Sequence, residues 1–125
     1  MLPQELRDRS FESRNGERAW SREDVSAVVD YLSSQDLAVL GGEVWRVHDS
    51  CIFAGFLDAD GREGIYAWST SRNPEEPWNE FLRRCAAETI SAVAEFPARV
   101  QIQPGLPGRI LFNLTWVSEG EYEEL

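Results

Sequence analysis

A chain of 125 residues, 42% hydrophobic and 11% aromatic, is one domain with enough apolar side chain for a core, and disorder is excluded on composition. The net charge is −10 and all twelve basic residues are Arg, which disfavours nucleic acid and anionic membranes as partners and favours basic ones. No apolar run approaches the roughly 18 residues of a membrane span, and Met1–Glu5 shows neither a basic n-region nor an apolar h-region, so a cytoplasmic protein is expected.

Residues 1–19 interleave Glu5, Arg7, Asp8, Arg9, Glu12, Arg14, Glu17 and Arg18, with Leu2, Leu6 and Phe11 as the only anchors. This stretch is expected to be a charged extension with at most a short amphipathic turn near 4–10, closed by the turn signal Asn15-Gly16. The first regular element starts at Ser21, whose hydroxyl is placed to cap a helix, with Glu23 and Asp24 in its first turn. Trp20 and Val25 hold the positions of a hydrophobic staple. Val25, Val28, Val29 and Leu32 then follow helical spacing up to an end near Ser34.

Leu37–Leu40 is a short buried-strand pattern. Gly41-Gly42 interrupts it, which signals a bulge, a bend or a close backbone approach. Glu43–Val47 resumes the strand, with Trp45 and Val47 on one side and Arg46 on the other. After the turn His48-Asp49-Ser50, Cys51–Leu57 and Ile65–Thr70 are two further strand candidates. The Asp/Gly-rich loop between them, 58–64, argues for a hairpin. Pro74 and Pro77 open the longest helix, about 77–95, whose core stripe is Trp78, Phe81, Leu82, Cys85, Thr89, Ile90 and Val93. Phe96-Pro97 is expected to end it. Residues 109–117 form the last strand, with Ile110, Phe112, Leu114 and Trp116 on one face and Leu111 and Val117 on the other. The end, 119–125, is an acidic tail.

The order helix, strands, helix, strand predicts an α+β two-layer sandwich: a small, mainly antiparallel sheet of about four strands with two helices packed on one face. The division expected is extension 1–19, domain 20–118 and tail 119–125.

The chemistry-bearing groups are few. His48-Asp49-Ser50-Cys51 holds every residue of a nucleophilic triad, but consecutive turn residues do not converge on a reacting atom. Asp58, Asp60 and Glu63 resemble part of a calcium loop, yet Gly61 falls at the fourth place rather than the sixth. Their simpler readings are turn bonding by Asp or a negative knob offered to a partner. Cys51 and Cys85 lack metal spacing and are expected to be reduced thiols, with a disulfide between them left open. No catalytic residue, metal or cofactor is expected. Tyr66 and Trp68 share one strand face, and beside acids such aromatics serve as binding anchors. The absence of Lys beside twelve Arg suggests GC-rich coding and a bacterial source.

Several stretches carry a resemblance when taken in order: Ala38-Val39-Leu40-Gly41-Gly42-Glu43-Val44-Trp45 after a Ser-capped helix, then Tyr66-Ala67-Trp68, then Pro74-Glu75-Glu76-Pro77-Trp78-Asn79-Glu80-Phe81 opening a long helix, and a closing aromatic strand at 110–117. Over about 20–118 the chain resembles the immunity protein 40 family of bacterial polymorphic toxin systems. The resemblance implies neutralisation of a cognate toxin by direct binding and brings no catalytic residue with it. The candidate toxin contacts are Glu43, Asp58, Asp60, Glu63, Tyr66 and Trp68, with the tail acids Glu121, Glu123 and Glu124 as a competing site. A non-catalytic interaction or regulatory module and a small enzyme stay open as alternatives, and oligomeric state is left open.

Overall fold

The computed structural model describes residues 2–58, 63–101 and 107–125, with backbone alone at 57, 58, 63 and 97–101. In chain order the elements are α1 (Gln4–Asp8), β1 (Phe11–Glu12), β2 (Arg18–Trp20), α2 (Arg22–Ser34), β3 (Ala38–His48), β4 (Cys51–Phe53), β5 (Gly55–Asp58), β6 (Glu63–Ile65), β7 (Ala67–Ser69), α3 (Trp78–Arg99), β8 (Val100–Gln101), β9 (Arg109–Val117) and α4 (Glu119–Glu123). The class is α+β with antiparallel pairing, as the element order predicts. The main sheet has six strands rather than about four, in the order β1-β2-β9-β3-β4, with β7 also on β3; a second sheet runs β6-β5-β8. Four helices, not two, are present among the described residues.

The long strand β3 is the spine. It pairs with β9 from Ala38↔Val117 to Val47↔Arg109, and the register shifts between Val39 and Gly41. The Gly-Gly interruption is thus a bulge inside one strand. On its other side β3 takes β7 along the glycine half and β4 along the His48 half. The two strand candidates at 51–57 and 65–70 are each split, at Ala54 and Tyr66. Their outer pieces stay on β3, and their inner pieces leave the main sheet as the hairpin β5–β6, paired Gly55↔Ile65 through Leu57↔Glu63. The two flanking strands thus pair antiparallel, but in the second sheet, and residues 59–62 of the Asp/Gly-rich loop lie outside the described residues.

α2 begins after Ser21 and ends at Ser34, as its caps and spacing predict. Ser21 is the N-cap residue, but its hydroxyl donates to Asp24 Oδ2 (3.1 Å) instead of accepting from the first turn. Trp20 and Val25, the staple pair, are buried together with Val28, Val29 and Leu32. α3 runs to Arg99, four residues past the expected end at Glu95. The reason lies in Arg22. Pro97 has no N–H for the carbonyl four residues back, Val93 O, and that oxygen accepts instead from Arg22 Nη1 at 2.8 Å. The helix therefore tolerates the proline within its last turn.

The main core joins α2, the C-terminal half of α3 and alternate residues of the sheet: Trp20, Val39, Val44, Phe112 and Leu114. Leu2 and Leu6 of the 1–19 segment belong to it, and Trp20 Nε1 donates to Leu6 O at 2.8 Å, so α1 is docked on the domain. A second cluster holds Phe81, Leu82 and Cys85 against Ala38, with Trp78 and Tyr122 beside it. Ile90 does not belong to the stripe: it is 41% exposed. At 100° per residue it lies roughly 100° from the line through Phe81, Cys85, Thr89, Val93 and Phe96.

Candidate functional site

The register divides the side chains of the main sheet. Val44, Phe112 and Leu114 point at the helices. Gly41, Glu43, Trp45 and Val47 of β3 share the opposite face with Leu111, Asn113 and Thr115 of β9, and Phe11 and Ala19 continue it. Among the described residues, no helix contributes a side chain to the apolar cluster on that face. One end is sealed by Ala19, Trp45, Val47 and Leu111 with Phe11 packed edge-on to Trp45, ring centroids 6.5 Å apart. The other end is concave: a hollow of about 350 Å³ whose lining includes Glu17, Gly42, Glu43, Trp68, Asn113 and Thr115.

Glu43 is half-buried there, and its Oε1 accepts from Trp45 Nε1 at 2.7 Å. Trp68 comes from β7 and is half-buried; its indole N–H donates to Thr89 Oγ1 of α3 at 3.1 Å. The ring thereby lies under Gly42, where a side-chain Cβ would stand 2.9 Å from two of its carbons. Of the six residues singled out from the sequence, Glu43 and Trp68 both border this hollow, but Trp68 stands opposite Gly42 in register and sends its indole to the helix face, whereas Glu43 lies on the face turned away from the helices. Tyr66 is turned toward α3, its O–H donating to Ala92 O (3.3 Å) and its ring packed on Phe96. Ile65, Ala67 and Ser69, the residues alternating with Tyr66 and Trp68, are the exposed ones. Asp58 and Glu63 end the two strands of the β5–β6 hairpin, and Asp60 lies outside the described residues. Glu17, Asn113 and Thr115 were missed. Strict alternation along β9 was the available signal for Asn113 and Thr115, since both share the face of Leu111; Glu17 carried none.

The tail acids sit on an ordered helix. Ser118 and Glu121 form a reciprocal capping box at the start of α4, and those bonds hold the Glu121 carboxyl below its usual range. Tyr122 packs on Trp78 and Phe81, its hydroxyl accepts from Arg72 N at 2.9 Å, and Arg72 pairs with Glu119 at 3.0 Å. Arg84 grips Glu76 through two bonds of 3.0 and 2.8 Å, and Asn73 N donates to the same carboxylate. These donors lower the Glu76 pKa to about 2. Its folded pKa is therefore depressed from 4.5, so the clamp's contribution is complete above the unfolded value and disappears as pH falls toward about 2. We expect Glu76→Gln to lower Tm at pH 7 and the gap from wild type to close steadily between pH 4.5 and 2. A gap of constant size across that range, measured by thermal melts, would contradict the clamp.

His48 ends β3, and the turn Asp49-Ser50 has positive φ at both residues, +50° and +63°, the geometry of a tight two-residue hairpin. His48 Nε2 stands 3.4 Å from Asp49 Oδ2 at the surface. Both cysteines are free. Cys51 is exposed, whereas Cys85 is buried and its thiol is pushed up to about 12, which leaves it unreactive. Among the described residues, no three His, Cys, Asp or Glu side chains are grouped to hold a metal ion, and no helix is long and apolar enough to cross a membrane.

Compared with known protein families, residues 8–104 match the model of immunity protein 40. Neither the curated proteins nor the solved structures give a match.

Proposed function

The chain belongs to the immunity protein 40 family, and from that premise we propose that it protects its bacterial host by binding a cognate toxin domain through an acidic surface. It acts in the cytoplasm by occlusion, without catalysis, cofactor, nucleic acid or membrane. Family membership carries this reading, and the charge supports it. With a net charge of −10, the chain draws in a basic partner and speeds encounter, up to ~10⁸–10⁹ M⁻¹s⁻¹ at low salt. A toxin that handles a polyanion needs a basic active site, which an acidic surface can fill. A standard interface takes about 800 Å² from each partner, a small part of the 7601 Å² exposed here.

The contacts we propose are Glu43 and Trp68, which border the hollow, Asp58 and Glu63 at the ends of the β5–β6 pair, Asp60 between them in sequence, and Tyr66, which links that pair to β7. Chain continuity supports the grouping, because Ile65 ends the hairpin two residues before Ala67 begins the strand that carries Trp68. The tail is the alternative site. Truncating it would strip Tyr122 from Trp78 and Phe81, so charge-neutral substitutions test it better. The assay is binding to the cognate toxin domain, sought at the C-terminus of a large secreted protein in the neighbouring gene, after co-expression and purification, at low and high salt. Asp58→Asn/Asp60→Asn/Glu63→Gln is expected to slow association about tenfold at low salt and little at high salt. Glu123→Gln/Glu124→Gln is expected to match wild type. The reverse pattern moves the site to the tail, and salt-independent binding by all three proteins rejects the acidic-surface mechanism.

A further inference from the structure

We propose that the outer edge of β4 receives an extended segment of the toxin domain as an added strand, an inference that rests on the immunity reading and names the form of its central contact. β4 closes one end of the strand order, and among the described residues no strand pairs with its outer side. Its three residues, Cys51, Ile52 and Phe53, are all exposed. They include neither a charge nor a proline, the usual guards of a sheet edge. Ile52 is 37% and Phe53 43% exposed, so folding alone leaves two large apolar side chains in water.

The ladder fixes which backbone groups this edge offers. A Cβ on Gly108 would stand 2.7 Å from Val47 O, so the Val47 carbonyl is turned to the β9 side of β3. Val44 N–H, three residues earlier, donates to Tyr66 O on the opposite side at 3.0 Å. Odd-numbered residues at this end of β3 therefore bond toward β9, and even-numbered ones toward the other neighbour. His48 and Cys51 exchange their bonds across the two-residue turn, Arg46 and Phe53 do the same, and Ile52, opposite Val47, directs its N–H and C=O outward. The side chains alternate too. Ile52 shares the face of Val47, and Phe53 shares that of Arg46, whose guanidinium lies 4.3 Å from the Phe53 ring centroid. A partner laid on one face of the sheet covers only one of the two. A strand added alongside takes the outward N–H and C=O and flanks both.

Charge selects the occupant. A second copy of this chain would bring its own net charge of −10 to the edge, and like charges repel. A basic domain is drawn in instead. β5 follows β4 after the single residue Ala54 and ends at Asp58, and Glu63 pairs with Leu57 beside it, so the edge continues into an acidic stretch of the same chain. The segment that fits is extended, apolar where it passes Ile52 and Phe53, and flanked by Lys or Arg.

The test is amide hydrogen exchange, followed by NMR on the whole chain alone and with the cognate toxin domain of the assay above. In the free chain the Ile52 amide is expected to exchange faster than those of Cys51 and Phe53. In the complex it is expected to slow by about tenfold or more. Ile52→Pro removes the outward N–H and no bond to β3. This variant is expected to melt like wild type and to bind the toxin about tenfold more weakly, whereas Ile52→Ala, which keeps the N–H, loses less. Protection of the Ile52 amide in the dilute free chain overturns the proposal, because the edge is then already filled. Protection that grows with concentration gives the edge to a second copy and overturns it as well. A complex in which Ile52 exchanges as in the free chain, or an Ile52→Pro protein that binds like wild type, rejects strand addition and leaves the immunity reading standing. A toxin domain that does not bind the wild type rejects the immunity reading, and strand addition with it.

Discussion

Phe96→Ala is expected to lower the unfolding free energy by about 3–5 kcal/mol, the cost of emptying a fully buried aromatic site. Phe96 is 1% exposed and touches three other rings edge-on: Phe56 and Tyr66 with centroids 5.3 Å away and Phe112 at 5.9 Å. Those rings come from β5, the β6–β7 junction and β9, so one side chain of α3 pins the second sheet, the linker and the main sheet together. Its loss leaves three elements without their common partner, and a cavity there cannot close without moving all of them. Ile90→Ala, six residues earlier on the same helix, is expected to cost less than about 1 kcal/mol, because Ile90 is 41% exposed. Urea unfolding of the two variants checks both figures. Equal losses would mean that the helix is rotated from the orientation described here.

The pair shows where the sequence was legible. Periodicity found α3 and most of its buried line, yet it admitted Ile90 and stopped before Phe96. A hydrophobic stripe does not say how wide the covered arc is, because that depends on what packs against it. A Pro after Phe96 is a sound stop signal until another side chain serves the freed carbonyl. Here Arg22 does so from 71 positions away, a compensation no local pattern can show. α2 was legible from its staple and spacing alone, since all of its signals are local. The split strands at 51–69 were not, because each half changes sheets through long-range pairing. α4 was legible and missed: Ser118-Glu119-Gly120-Glu121 is the capping-box pattern, hidden by the reading of an acidic tail.

The candidate site divides in the same way. Glu43 and Trp68 were identifiable because acids and aromatics stand out on short strands. Their meeting around one hollow was not, since it requires β7 to pair with β3 opposite β9. Asn113 was hidden because its burial and its bond to Arg18 O depend on β2 pairing with β9.

Gly42→Ala is expected to destabilise the protein by about 3 kcal/mol or more. The added Cβ would lie 1.9 Å from Asn113 O and 2.9 Å from two ring carbons of Trp68. The first clash is with the backbone of β9, a strand held on both sides by β2 and β3, which cannot retreat without breaking ladder bonds. Overpacking costs about 1–3 kcal/mol where side chains can shift, and here main chain must shift. Pushing the indole away also breaks its bond to Thr89, which is 0% exposed, and leaves a buried hydroxyl with one partner fewer, about 1–3 kcal/mol more. Gly41 is under the same constraint from the other neighbour, 2.1 Å from Trp68 O. The two glycines thus allow β7 and β9 to close on β3 from both sides and bring Trp68 and Asn113 to one hollow. Gly64→Ala is the control, since nothing lies within 4 Å of its Cβ position, and its effect should stay within about 0.5 kcal/mol. Thermal melts decide the matter: a Gly42→Ala protein that melts like wild type would show that the three strands do not approach this closely.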